Sequence, residues 1–259
     1  MNHGTFQDIS LKKKYGQHFL QDQSIVDRMI NEVEIKGASV LEIGPGGGFL
    51  TKSILEQQIE RIWAFEIDSD WAGYLKEQYT DARFTVFLEN FLDIDFNKFQ
   101  EHAPWTVLAN LPYQVTFPIL HLFYEHRRLF KEGVIMVQEE VAQKIVKTRG
   151  KGFGFISVFF QYYFEWRLLD KVPPSAFNPP PKVFSRTLYF KPKTNVAPIG
   201  QEKEFWKFIK ICFKQPRRTL RNNLAQSHYD VAKFSDEQLA SRAQQLSIEE
   251  LKGMWLQLL

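Results

Sequence analysis

At 259 residues, 44% apolar and 24% charged, the chain is long enough for one large folded domain with a small companion, and its composition excludes a disordered polypeptide. The net charge of +3 is unevenly spread: residues 1–190 hold 21 Lys+Arg against 23 Asp+Glu, and residues 191–259 hold 12 against 7, which points to an anionic partner for the C-terminal part. The longest apolar stretch, "FISVFFQYYF", falls well short of the roughly 18 residues of a membrane span, the start lacks the apolar core of a secretory signal, and the single cysteine, Cys212, excludes an internal disulfide; a cytoplasmic protein without a membrane span is expected.

Five β-rich runs follow one another from residue 39: "SVLEI" (39–43), "IWAFE" (62–66), "FTVFL" (84–88), "WTVLA" (105–109) and "GVIMV" (133–137). Amphipathic stretches such as 116–126 separate them, and this alternation predicts a doubly wound α/β domain with a parallel sheet. "EWRLLDKV" (165–172) and "VFSRTLYF" (183–190) flank a proline-rich loop and are expected to pair antiparallel and finish the sheet. The first domain is thus expected over 1–190 and a linker over 191–204, "KPKTNVAPIGQEKE", which has no apolar periodicity. A small all-helical domain is expected over 205–259. "FWKFIKICF" (205–213) has helical spacing there, and "SDEQL" and "SIEEL" each place Ser three residues before Gln or Glu, as a capping box requires. His121 and His126, five apart on a predicted helix, do not share a face, no Cys/His cluster offers a ligand set, and no metal is expected.

"VLEIGPGGGFL" (40–50) runs out of the first strand and into a helix. Glycines there allow a tight turn and a close approach of backbone to ligand. Pro45 removes one amide that a pyrophosphate would want, so the dinucleotide fingerprint is not matched cleanly. Glu66, 22 residues beyond Gly44 at the end of the second strand, is placed to accept both hydroxyls of a ribose. Nicotinamide enzymes and methyltransferases both use such a carboxylate. Without a phosphate cradle, and with the acidic Glu42 beside the loop, a sulfonium methyl donor is favoured over a dinucleotide, and a glycine turn that only packs a helix on the sheet remains the bland alternative.

"ANLPY" (109–113) ends the fourth strand at the carboxyl edge, where open α/β sheets bind ligands. An exocyclic base amine is a poor nucleophile because its lone pair is delocalised into the ring. Two carbonyl oxygens accepting its N–H bonds would return electron density to the nitrogen. Asn110 offers the first, and the backbone of Leu111, restricted by Pro112, the second. Tyr113 offers a face for an extruded adenine, and Phe177 in "SAFNPPP" a second face; for either ring, core packing is the competing reading.

With these residues in place the chain resembles the ribosomal RNA adenine dimethyltransferases, through "KKKYGQHFL", "VLEIGPG", "FEID", "ANLPY", "GFGFISVFFQYY", "VPPSAFNPPPKV" and "KQPRRTLRNNL". "VPPSAFNPPPKV" is more similar to the bacterial branch acting on 16S RNA than to the branch acting on 23S RNA. The resemblance implies a Rossmann-like methyltransferase domain with a small helical C-terminal domain. It also implies S-adenosylmethionine as methyl donor and dimethylation of two adjacent adenosines near the 3′ end of 16S RNA in the immature small subunit; nothing in the sequence calls for an oligomer, and a monomer is expected. By motif it assigns His18, Leu20, Gly44, Glu66, Asn90 and Asn110 to the donor, and Asn110, Leu111, Tyr113 and Phe177 to the reaction. Two positions depart from the family pattern: His18 stands where Asn is frequent, and Asn90 where Asp is usual, so weaker donor binding is expected, reversed by Asn90→Asp. Lys214, Arg217, Arg218 and Arg221 are the expected RNA contacts of the tail. Further phosphate candidates are Lys12 to Lys14, Arg127, Arg128, Lys147, Arg149 and Lys151. An assembly factor without turnover, and a methyltransferase of DNA adenine or of a protein glutamine, are the competing readings.

Overall fold

The computed structural model describes residues 17–259. In chain order they form β1 (Phe19–Leu20), α1 (Gln23–Asn31), β2 (Ser39–Ile43), α2 (Phe49–Leu55), β3 (Arg61–Glu66), α3 (Ser69–Gln78), β4 (Phe84–Leu88), β5 (Trp105–Asn110), α4 (Thr116–Glu125) and β6 (Phe130–Gln138). There follow α5 (Glu139–Val146), α6 (Phe155–Tyr163), β7 (Phe164–Val172), β8 (Phe177–Asn178), β9 (Ser185–Pro192), α7 (Glu202–Cys212), α8 (Leu220–Leu224), α9 (Asp236–Ala240) and α10 (Ile248–Leu258). All five β-rich runs of the alternating region are strands, and the sheet order among the described residues is β4-β3-β2-β5-β6-β9-β7. Pairs β2 to β3, β3 to β4, β2 to β5 and β5 to β6 are parallel, while β9 returns antiparallel against β6. The two late strands do finish the sheet, with β9 inserted between β6 and β7.

The central strands read as unbroken apolar runs because helices cover both faces of a parallel sheet. Every residue of β2 is buried, as are Trp105, Val107, Leu108 and Ala109 of β5. Strand order reverses between β2 and β5, so the loops leaving these two strands diverge at the carboxyl edge and open a crevice between them. The glycine loop leaves β2 and Asn110 ends β5. Sequence and topology therefore deliver the two conspicuous motifs to one place.

Two compact units are present: the described residues up to Ala142 together with Trp166–Pro192, and Gln143–Glu165 together with Lys193–Leu259. The second unit differs from the expected tail by taking up residues 143–165. Its α6 buries Val158, Phe159, Phe160 and Tyr163, and Trp206 of α7 lies 4.9 Å from the Phe159 ring while its indole N–H donates to the Tyr163 hydroxyl at 2.8 Å. A helix this apolar needs a partner, and α7 supplies one within the unit. α7 begins at Glu202, inside the expected linker. Both capping boxes form: Ser235 caps α9 with Gln238, and Ser247 caps α10 with Glu250. Cys212 is buried, and burial pushes its thiol upward. No described helix is long and apolar enough to cross a membrane.

Candidate active site

A cavity of about 280 Å³ opens at the switch point, and among its walls are His18, Gly44, Glu66, Asn90, Asn110 and Tyr113. Leu111 also lines it, although its side chain is buried. A second cavity, which Leu20, Glu42 and Asn178 line, shares Phe19, Gly44 and Asn110 with the first. Asn110 thus stands at the threshold between two spaces. Phe177 reaches neither wall: it is 4% exposed, pairs with Leu20 across the β1 and β8 ladder, and packs in the core cluster with Leu20, Ala176 and Val172. The reason is the strand alternation that Phe177 adopts, which turns its ring inward and leaves the neighbouring Asn178 exposed.

The glycine loop closes on a carboxylate. The Gly46 amide donates to Glu66 Oε2 at 3.0 Å and the Asp68 amide to Oε1 at 2.9 Å. Gly46 has φ +52, and a Cβ there would meet the Phe19 ring at 2.3 Å, so only glycine lets the loop pass under that ring. Glu66 is 4% exposed; burial raises its pKa, and the two amide bonds act against that rise. Glu42 behaves differently from the sequence expectation. Burial pushes its carboxyl up to about 8, with the Thr51 hydroxyl donating to Oε2 at 2.6 Å, so at neutral pH it is protonated and brings no negative charge to the loop.

The Asn110 side chain has one orientation. Its Nδ2 donates to the His18 carbonyl at 2.9 Å, which leaves the two lone pairs of Oδ1 directed away from that anchor. His18 is held in turn: Nδ1 lies 2.8 Å from the Pro179 carbonyl, an acceptor, so Nδ1 carries the proton. Its ring stacks on Tyr113 with centroids 5.8 Å apart. The Tyr113 hydroxyl shares a 2.6 Å hydrogen bond with Ser185 Oγ at the start of β9, and burial raises its pKa. The Leu111 amide donates to the Met136 carbonyl at 3.1 Å and fixes the turn to β6. Sequence reading missed Ser185; its signal was a serine at an inward-facing position of an apolar strand. It also missed Ile67 and Leu92, apolar residues just past β3 and β4 that line the cavity, Ile67 remaining 45% exposed.

Asn90 caps the turn after β4. Its Oδ1 accepts from the Leu92 amide at 3.2 Å and its Nδ2 donates to Asp93 at 2.6 Å, so a carboxylate absent from position 90 stands three residues on. Of the tail residues, Lys214, Arg217 and Arg218 are exposed in the turn between α7 and α8. Buried Asn223 shapes that turn by donating to the Cys212 carbonyl at 2.9 Å and accepting from the Gln215 amide at 3.2 Å. Arg221 instead pairs with Asp236 at 2.6 Å. Arg149 pairs with Glu250, and Arg127 lies 5.2 Å over the Tyr124 ring. Arg128, Lys147 and Lys151 are exposed, and Lys12 to Lys14 lie outside the described residues. His126 stacks on Phe96 at 3.8 Å.

The geometry is that of a cavity with a buried carboxylate on its wall, beside a fixed amide acceptor and a tethered aromatic ring. The fold has close counterparts: a dimethyladenosine transferase from Plasmodium falciparum superposes with a TM-score of 0.78 at 23% identity, covering 93% of this chain and 96% of that one. The 23S rRNA methyltransferase ErmE superposes with 0.74 at 22% identity, covering 93% and 99%. These two carry the fold alone. Sequence relatives are nearer. The ribosomal RNA small subunit methyltransferase A of Prosthecochloris aestuarii is 36% identical over 251 residues, 96% of this chain and 94% of that protein. Its namesake from Mycoplasma mobile is 37% identical over 226 residues, 87% of each. The sequence profile described as "Ribosomal RNA adenine dimethylase" matches residues 9–255, through both compact units and every motif that builds the pocket, and the chain belongs to that family.

Proposed function

We propose that this protein dimethylates the N6 amines of adenosines in small-subunit ribosomal RNA, with two adjacent adenosines near the 3′ end of 16S RNA in the immature particle as its target. The observation that carries this reading is the fixed orientation of Asn110, whose amide is anchored on one side and whose oxygen is presented on the other. S-adenosylmethionine, when bound, supplies a methyl group on a cationic sulfur. The cavity fits this donor: Glu66 keeps a lone pair on each oxygen for ribose hydroxyls, the loop around Gly44 and Gly46 carries no side chain to intrude, and Ile67 and Leu92 offer apolar surface to a purine. His18 and Leu20 lie toward the methionine end. Asn110 Oδ1 and the Leu111 carbonyl would accept from the target amine and free its lone pair; in the transfer the methyl–sulfur bond would break as the methyl–nitrogen bond forms, leaving the donor as the neutral thioether S-adenosylhomocysteine. The proton would pass to solvent once the new bond has made the nitrogen acidic.

Tyr113 stacks the target base, which has been taken out of its own stack, so a loop or helix end is the expected substrate. Phe177 acts behind the wall, holding β8 on β1 and thereby His18 and its carbonyl. Exposed Lys214, Arg217 and Arg218 contact phosphate, which gives affinity and register without sequence information; Arg221 contributes less, being partly neutralised by Asp236. The C-terminal unit is the ribosome-binding part. The protein works in the cytoplasm as a monomer.

Incubation with radiolabelled S-adenosylmethionine and immature small ribosomal particles is expected to place label in RNA as dimethyladenosine. Label in DNA or in protein, or none at all, would refute the reading. The structure refines the expectation for Asn90. Asn90→Asp alone sets a carboxylate against Asp93 and is expected to gain little; Asn90→Asp with Asp93→Asn restores one charge and is expected to tighten donor binding roughly five-fold. Isothermal titration of the three proteins checks this, and equal affinities would remove the role given to position 90.

A further inference from the structure

We infer that Phe184, with Lys171, forms a stacking subsite for a nucleotide one or two positions from the target adenine in single-stranded RNA. The inference rests on the proposed RNA substrate and extends it to a residue outside the catalytic turn. Phe184 is 45% exposed, and its neighbour Val183 is 44% exposed. A lone exposed aromatic is ordinary. This one has company: the Lys171 ammonium stands 4.3 Å from its ring centroid, and exposed Lys182 lies two residues before it.

Position argues for the same occupant. Phe184 immediately precedes Ser185, the residue whose hydroxyl holds Tyr113. Its carbonyl accepts from the Glu139 amide at 3.0 Å, which fixes the backbone just past the end of β6, at the same sheet edge as Asn110. β5 and β9 flank β6, so the two sites are two strand spacings apart across the sheet, and Phe184 faces Glu139, three residues beyond the Met136 that faces Asn110. The separation is thus roughly 14 Å, the reach of a nucleotide one or two along an extended, unstacked strand. A flat π face accepts any base, and the ammonium beside it meets the phosphate of the same nucleotide, which makes the patch complementary to RNA in both shape and charge. An apolar protein partner would leave Lys171 and Lys182 without anions.

The test is steady-state methylation of immature small particles by wild type, Phe184→Ala, Phe184→Leu and Phe184→Trp, with binding of S-adenosylhomocysteine measured in parallel. Phe184→Ala is expected to raise KM for the particle roughly 5- to 150-fold with unchanged affinity for S-adenosylhomocysteine. Leucine, which keeps apolar area without a π face, is expected to behave as alanine, and tryptophan to restore KM. An unchanged KM in Phe184→Ala, or full restoration by leucine, would overturn the subsite while leaving the dimethylation reading intact; a wild type that places no label in RNA would instead refute that reading itself.

Discussion

Asn110→Ala is expected to lower turnover by roughly 10²- to 10³-fold, the loss seen when one preorganised polar contact to the reacting group is removed, while S-adenosylhomocysteine still binds with nearly wild-type affinity. Asn110 is one residue of a wall that Gly44, Glu66, Asn90 and others also form, so most of the cavity lining survives its truncation. What is lost is the oxygen directed away from the His18 carbonyl, the acceptor that the proposed mechanism assigns to the target amine. Single-turnover methylation with saturating donor isolates this step, and a variant with full activity would remove the mechanism. If donor affinity collapsed together with turnover, the residue would be a donor ligand and not an orienting acceptor.

Glu42→Gln is expected to make the fold less sensitive to alkali. Burial lifts the Glu42 carboxyl from 4.5 to about 8, so between these values the folded chain holds a proton that the unfolded chain has released. Stability therefore falls as pH rises through this window and is unaffected by Glu42 well below 4.5. From pH 5 to pH 8 the wild type should lose about 3 kcal/mol through this residue alone. Glutamine keeps an oxygen for the Thr51 hydroxyl and has nothing to titrate. Urea unfolding of both proteins at pH 5 and pH 8 should show the variant gaining at the higher pH, and parallel pH profiles would mean that Glu42 is ionised in the fold.

The strands and the two carboxyl-edge motifs were legible because each is a local pattern: a short β-rich run, a glycine-rich exit, or an amide followed by a proline. The capping boxes of α9 and α10 were legible for the same reason. What escaped depends on residues far apart in the chain. The two-residue strands β1 and β8 exist only because Phe19 and Leu20 meet Asn178 and Phe177, a pairing no window of sequence contains. That pairing also decides the fate of Phe177, whose aromatic character fits a base slot but whose register turns it into the core. The apolar stretch of α6 is plain in the sequence, but its union with α7 depends on where Trp206 packs. Asp93, three residues from Asn90, was within local reach, yet its meaning rests on which way an amide points.

The group that fixes the Asn110 amide is a main-chain oxygen, that of residue 18. Every amino acid possesses one, so the bonding atom is supplied by any residue at that position, and the side chain matters only for where that atom is held. A histidine at residue 18 therefore leaves the Asn110 tether in place, and because its own ring is fastened to the Pro179 carbonyl it also steadies the short strand end that carries that oxygen.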